Sequence, residues 1–300
     1  MQTPHDTPYP IEQIDRPGTT GPDLELRLGP ADLVARPARS EVALALLTWF
    51  SSVILLLLIP PILSLPYLLY RYQNGGFLTR ETLIADKTFI FLNIVGVIPA
   101  HVITFAIAWA VVTRFGRFSF WRVIGWDWTP SFRFWKSVGL AIALLIAGIL
   151  ILSRFGGPPT DMEKIIMSSR LNACTTAFLA TVTAPLVEEV VYRGVLYSAL
   201  QRVVGVAGAV FIVMSLFTIV HGPEYWPNFG VLSTILLLSF SLTMVRARTN
   251  RLLPCYVIHL VFNGVQSFVI VLGPYLPDVN RILQRSSGTI LVNALLRFHY

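Results

Sequence analysis

Pro185-Leu186-Val187-Glu188-Glu189-Val190-Val191-Tyr192-Arg193-Gly194-Val195-Leu196-Tyr197 places two adjacent carboxylates and a guanidinium inside an apolar run. That run extends from Leu171 to Leu200 and is long enough, as a helix, to cross a bilayer. Ionised side chains at such depth cost several kcal/mol each, and they mark a functional interior rather than decoration. On a helix Glu189 and Arg193 are four residues apart, so they share a face and can pair. Glu188 lies about 100° further round, with Tyr192 one turn away on its own face. Arg193 can neutralise one carboxylate but not both, and Glu188 is the charge left over. A Glu–Arg pair on a solvated helix face is the plainer reading. The flanks Ala177-Phe178-Leu179-Ala180 and Val195-Leu196 offer no charged face for it to share.

Composition points the same way. The chain has 300 residues, 54% hydrophobic and 13% charged, against about 25% charged in soluble domains. It therefore reads as an integral, multi-pass membrane protein. The net charge of +7 is spread through loops between apolar runs, which fits membrane topology and excludes a nucleic-acid patch. Cys174 and Cys255 sit in apolar helical context and read as small buried hydrophobes, with no disulfide framework or Cys-rich zinc site between them.

The expected fold is all-α, a polytopic transmembrane bundle of about seven spans, within a range of about six to eight. Residues 1–40 are polar and proline-containing, a tail or short amphipathic cap without a signal-peptide pattern. Residues 41–170 carry three runs. The first, Val42 to Tyr70, contains Pro60-Pro61 and is expected to kink or break there. The second covers Thr88 to Val112 and the third Phe134 to Leu152. The loop between them holds Arg114, Arg117, Arg122, Arg133 and Lys136 with Trp121, Trp126, Trp128 and Trp135, suited to an interfacial belt. After the Leu171–Leu200 helix come Val206 to His221, Gly230 to Val245, and Leu253 to Leu272. Arg246, Arg248 and Arg251 are assigned to the connection before the last run. Both basic loops fall on the cytoplasmic side when the N-terminus does. The tail 274–300, with Arg281, Arg285 and Arg297, then falls outside unless it lies in the interface or the first run is two segments.

Pro185 removes a backbone donor, which frees a carbonyl near residue 181 and bends the helix beside the acidic pair. Later spans add His221, one turn after Phe217, and His259 with Asn263 on one face. Two histidines, two glutamates and an asparagine spread over three apolar helices are tolerable only if they meet one another or a wet cavity.

Three short patterns occur in order: Glu188-Glu189-Val190-Val191-Tyr192-Arg193 is E-E-x-x-x-R, Phe217 to His221 is F-x-x-x-H, and His259 to Asn263 is H-x-x-x-N. Their order on separate spans resembles the CPBP intramembrane proteases (the Abi family), which include the type II CAAX prenyl endopeptidases. The resemblance covers 171–273, read as the catalytic core. It implies hydrolysis of a peptide bond in a membrane-associated peptide or lipidated protein, while the basic loops lead to an expected site in the plasma (inner) membrane with a cavity open to the cytoplasmic side. Glu188 would activate water, Glu189 and Arg193 would be an orienting pair, His221 and His259 would hold the water or a metal, and Asn263 would stabilise the oxyanion. Two mechanisms fit: zinc bound by Glu188, His221 and His259, or a metal-free site in which Glu188 and His221 polarise the water. A proton-coupled transporter or a non-catalytic membrane binding protein would use the same polar cluster.

Rise along the helices poses a problem of level. Glu188 is ~21 Å from Arg202 and His221 ~24 Å from Gly205, but His259 is only ~8 Å from Pro254. The three meet if the fourth and fifth runs project past the basic face, or if the seventh starts earlier; both are expected, with Arg202 snorkelling.

Overall fold

The computed structural model describes residues 38–157 and 168–272. The expected N-terminal tail, apart from residues 38–40, and the expected C-terminal tail 274–300 lie outside the described residues. The helices are α1 (Ala38–Gln73), α2 (Arg80–Ile84), α3 (Lys87–Thr113), α4 (Phe120–Ile124), α5 (Phe134–Phe155), α6 (Arg170–Phe178), α7 (Ala184–Glu188), α8 (Tyr197–Tyr225), α9 (Phe229–Thr249) and α10 (Leu253–Leu272). Two π-helical segments, Leu179–Thr183 and Glu189–Leu196, flank α7. Thr129 and Phe132 form an isolated bridge, and no strand occurs among the described residues. The all-α, polytopic expectation holds.

Six helical stretches among the described residues are long and apolar enough to cross a membrane, and one of them, Arg170–Tyr225, has 56 residues. At about 1.5 Å per residue that stretch would far exceed a hydrocarbon core of about 30 Å. Gly205 divides it. Its φ of 71° and ψ of 175° lie outside any helix, in a region open to glycine alone. The two halves thus correspond to the separate fourth and fifth runs read from the sequence.

α1 is a continuous helix of 36 residues through Pro60, Pro61 and Pro66, so of the expected kink or break the break does not occur. Pro60 is buried against a neighbour: a Cβ on Gly96 of α3 would lie 2.7 Å from the Pro60 Cα, so only glycine permits this approach. At one end Asp86 caps α3, accepting from the Thr88 and Phe89 amides at 3.0 Å each. Its other oxygen takes the Tyr67 hydroxyl at 2.8 Å and the Arg71 guanidinium.

Arg246 and Arg248 belong to the last turn of α9 rather than to a loop. Arg246 is buried and donates to the Ile124 carbonyl at 2.9 Å and to Ser198 Oγ at 3.2 Å. That contact settles the problem of level. α10 starts at Leu253, no earlier than read, whereas Arg246 lies beside Ser198, so the residues from Ser198 to Gly205 run ~10 Å further. Arg202, in that projection, pairs with Glu41 of α1 at 2.8 Å. A second correction concerns Cys174, which is exposed; Cys255 is buried as expected.

The helix bearing the acidic pair lies at the centre. Val190, Val191, Val195 and Leu196 pack with Ala209, Val213 and Phe217 of α8 and with Phe120 and Ile124 of α4. A second cluster joins Leu144 and Leu145 of α5, Leu238 and Leu242 of α9, and Ile258 and Phe262 of α10. Near these clusters Glu189, Arg193 and His259 are buried, so these polar side chains depend on one another.

Candidate active site

The site is built on the irregular helix. At its first π segment the Ala184 amide reaches back five residues to the Leu179 carbonyl. In that register the next donor, for the Ala180 carbonyl, would be the nitrogen of Pro185, which carries no hydrogen. The Asn263 side-chain amide fills the gap, donating to Ala180 O at 2.9 Å. The carbonyl freed by Pro185 is therefore Ala180, one residue from the position read in the sequence. One turn further along α10, Ser267 donates to Ala177 O at 3.3 Å and accepts from Thr181 Oγ1 at 2.8 Å.

Past α7 the acidic pair divides. Glu189 and Arg193 are fully buried and joined at 2.9 Å. Arg193 also donates to Ser239 Oγ at 2.8 Å, Ser239 O at 3.1 Å and Thr243 Oγ1 at 3.3 Å. Its guanidinium carbon stands 4.7 Å from the Phe217 ring centre. Four of its five N–H donors are taken by the protein, and the group is fully buried. Glu188 differs: its side chain keeps 22% exposure, so it alone of the pair can meet water.

His259 joins the two carboxylates across 70 residues of sequence. Its Nδ1 lies 2.9 Å from Glu189 Oε1, and its Nε2 lies 3.7 Å from Glu188 Oε2. A carboxylate can only accept, so Nδ1 carries the proton and Nε2 is directed towards Glu188. The closest partner of His259 is thus Glu189 rather than Glu188. Glu189 Oε1 receives both Arg193 and His259, while Oε2 has no hydrogen-bond partner among the described residues.

His221 is half-buried, with Nδ1 donating to the Phe217 carbonyl at 2.7 Å. That bond leaves Nε2 as the ring's remaining polar atom. The rings of His221 and His259 both border Phe217, with centroids at 4.7 and 6.1 Å. Glu224, one turn beyond His221, interacts electrostatically with both His221 and Glu188. No three His, Cys, Asp or Glu side chains among the described residues converge closely enough to hold a metal ion.

Two residues of the neighbourhood escaped the sequence reading. Glu224 was passed over as part of a connection. His101 lies in the middle of the second apolar run, and the criterion that singled out His221 and His259, an ionisable residue in a span, applies to it equally. It is 6% exposed and pairs through Nδ1 with Thr183 Oγ1 at 3.0 Å.

Fold and site together define a polytopic membrane protein whose spans enclose a carboxylate–imidazole centre, with one glutamate open to water. Residues 170–265 match the family model described as Type II CAAX prenyl endopeptidase Rce1-like, which supports the resemblance to the CAAX protease (CPBP) family over that stretch. The matched stretch contains all three motifs and supports, in general terms, an intramembrane endopeptidase of the CAAX type. No curated protein and no solved structure matches the chain.

Proposed function

We propose that the protein hydrolyses a peptide bond of a membrane-associated peptide or lipidated protein by a glutamate-dependent mechanism, with Glu188 as general base. The carrying observation is the division of labour within the acidic pair: Glu189 is buried on Arg193 and His259, while Glu188 is partly exposed beside the same imidazole. Glu188 takes a proton from water as the oxygen attacks the scissile carbonyl, and the same proton passes to the leaving amine as the C–N bond breaks. His221, through its remaining ring nitrogen Nε2, orients that water. Glu189 fixes the tautomer and rotation of His259, as a carboxylate behind an imidazole does in many hydrolytic sites. One amide hydrogen of Asn263 is committed to Ala180, and the other serves the developing oxyanion. The basic ends of the spans support an orientation with the site open to the cytoplasmic side.

The test is cleavage of prenylated and unprenylated peptides by the purified chain in liposomes, comparing wild type with Glu188→Gln. The charge-neutral variant should be folded and at least about a hundred-fold slower, the lower end of general-base contributions. Cleavage at the wild-type rate would remove Glu188 from the chemistry. Proton flux in the same liposomes without cleavage would favour a transporter instead.

A further inference from the structure

The junction between the first π segment and α7 is the weakest point of the helix that carries Glu188. Pro185 supplies no amide hydrogen there, and the extra residue of the π turn displaces the backbone ladder. Two side chains from other spans hold it. On one side is Asn263 of α10, on the Ala180 carbonyl. On the other is His101 of α3, on the hydroxyl of Thr183, the residue that precedes α7.

We propose that His101 is a positioning residue of the proteolytic reaction, latching Thr183 so that the five-residue helix ending at Glu188 keeps its rotation and depth. The proposal rests on the reading of Glu188 as the base. Thr183 Oγ1 also lies 3.4 Å from the Leu179 carbonyl. A hydroxyl has one hydrogen, so making both bonds requires the ring Nδ1–H to donate and the hydroxyl to pass its own hydrogen to Leu179. The chain His101–Thr183–Leu179 thus ties α3 to the carbonyl that receives the i−5 bond of the π turn. No hydrogen bond joins His101 to Glu188 among the described residues, although the charge of Glu188 is felt at the ring. The link acts through the helix. A buried imidazole in an apolar span needs such a partner, and Thr183 is placed to be one.

The latch is tested on the full-length chain in detergent micelles by amide hydrogen exchange and by cleavage kinetics. The variants are His101→Leu, Thr183→Val, the two combined, and His101→Asn, whose amide places a donor near the position of ring Nδ1. His101→Leu and Thr183→Val should each speed exchange over residues 179–188 by about ten-fold, the upper end of what one hydrogen bond is worth. Exchange in α9 should be unchanged. Each should lower kcat by about ten-fold or more with KM within about two-fold, since small misplacements of a reacting group act on the chemical step. The combined variant should be no worse than either, and His101→Asn should restore both exchange and kcat. Unchanged exchange in His101→Leu, or an Asn variant as loose as Leu, overturns the latch. Exchange restored by Asn without recovery of kcat overturns the positioning role in favour of direct chemistry by the imidazole. A wild-type protein without cleavage sinks the protease reading alone, because the exchange arm still decides the latch.

Discussion

Replacing Arg193 by alanine removes a guanidinium that is 0% exposed and donates to Glu189, Ser239 and Thr243. The variant leaves the Glu189 carboxylate buried with His259 Nδ1 as its remaining donor, since Oε2 has none. Breaking a buried ion pair by removing one partner costs about 3–5 kcal/mol. A total stability of about 5–15 kcal/mol makes that a third or more of the whole in many proteins. At about 2–4 °C per kcal/mol for chains of this general size, the transition should fall by at least about 6 °C and by as much as about 20 °C. Pairing the change with Glu189→Gln removes the orphaned charge, so the double variant should be more stable than Arg193→Ala alone. The coupling should reach a few kcal/mol, as for partners in one buried network. Thermal unfolding of the detergent-solubilised protein, followed by the emission of its 7 tryptophans, measures all three variants. If Arg193→Ala unfolds within about 2 °C of wild type, or the two changes add without coupling, the guanidinium is no structural counter-ion. A role in binding the substrate carboxylate would then be the better account.

Asn263→Ala deletes both the cap on Ala180 and the donor proposed for the oxyanion, and should lower kcat by about a hundred-fold or more with KM little changed. A loss of only a few-fold would restrict Asn263 to the helix cap. Metal dependence separates the two mechanisms: a glutamate enzyme keeps its activity in a strong chelator, with far less than one zinc per chain by mass spectrometry. Loss of activity restored by zinc, with less bound zinc in His221→Ala and His259→Ala, would instead establish the zinc set Glu188, His221 and His259. Gly205→Ala should destabilise the chain by about 1–3 kcal/mol from backbone strain alone, because nothing lies within 4 Å of the added Cβ. Unchanged thermal stability in that variant would show that the segment unwinds no further than a helix with an ordinary residue allows.

The sequence by itself determined whatever depends on neighbours along the chain. Apolar run length marked the spans, with the fourth and fifth runs read as separate. Four-residue spacing paired Glu189 with Arg193, because a side chain reaches the next turn of its own helix whatever surrounds it. Pro185 announced a freed carbonyl for an equally local reason, the missing amide hydrogen. The sequence places it only near residue 181; the π register, which shifts the bond from four residues to five and is not written in the side chains, makes it Ala180. In α1, Pro60 and Pro61 predict a kink or break, and the helix continues unbroken where Pro60 packs closely against Gly96 of α3. The tertiary structure alone decided which spans face the acidic pair. His259 bonds to Glu189 from 70 residues away, and His101 reaches Thr183 from 82. Lipid-facing and protein-facing apolar residues look alike in sequence, so nothing local marks one histidine as a partner and another as a bystander. Only the packing of α3 and α10 on the irregular helix brings the imidazoles to it, because buried polar groups without water must find one another.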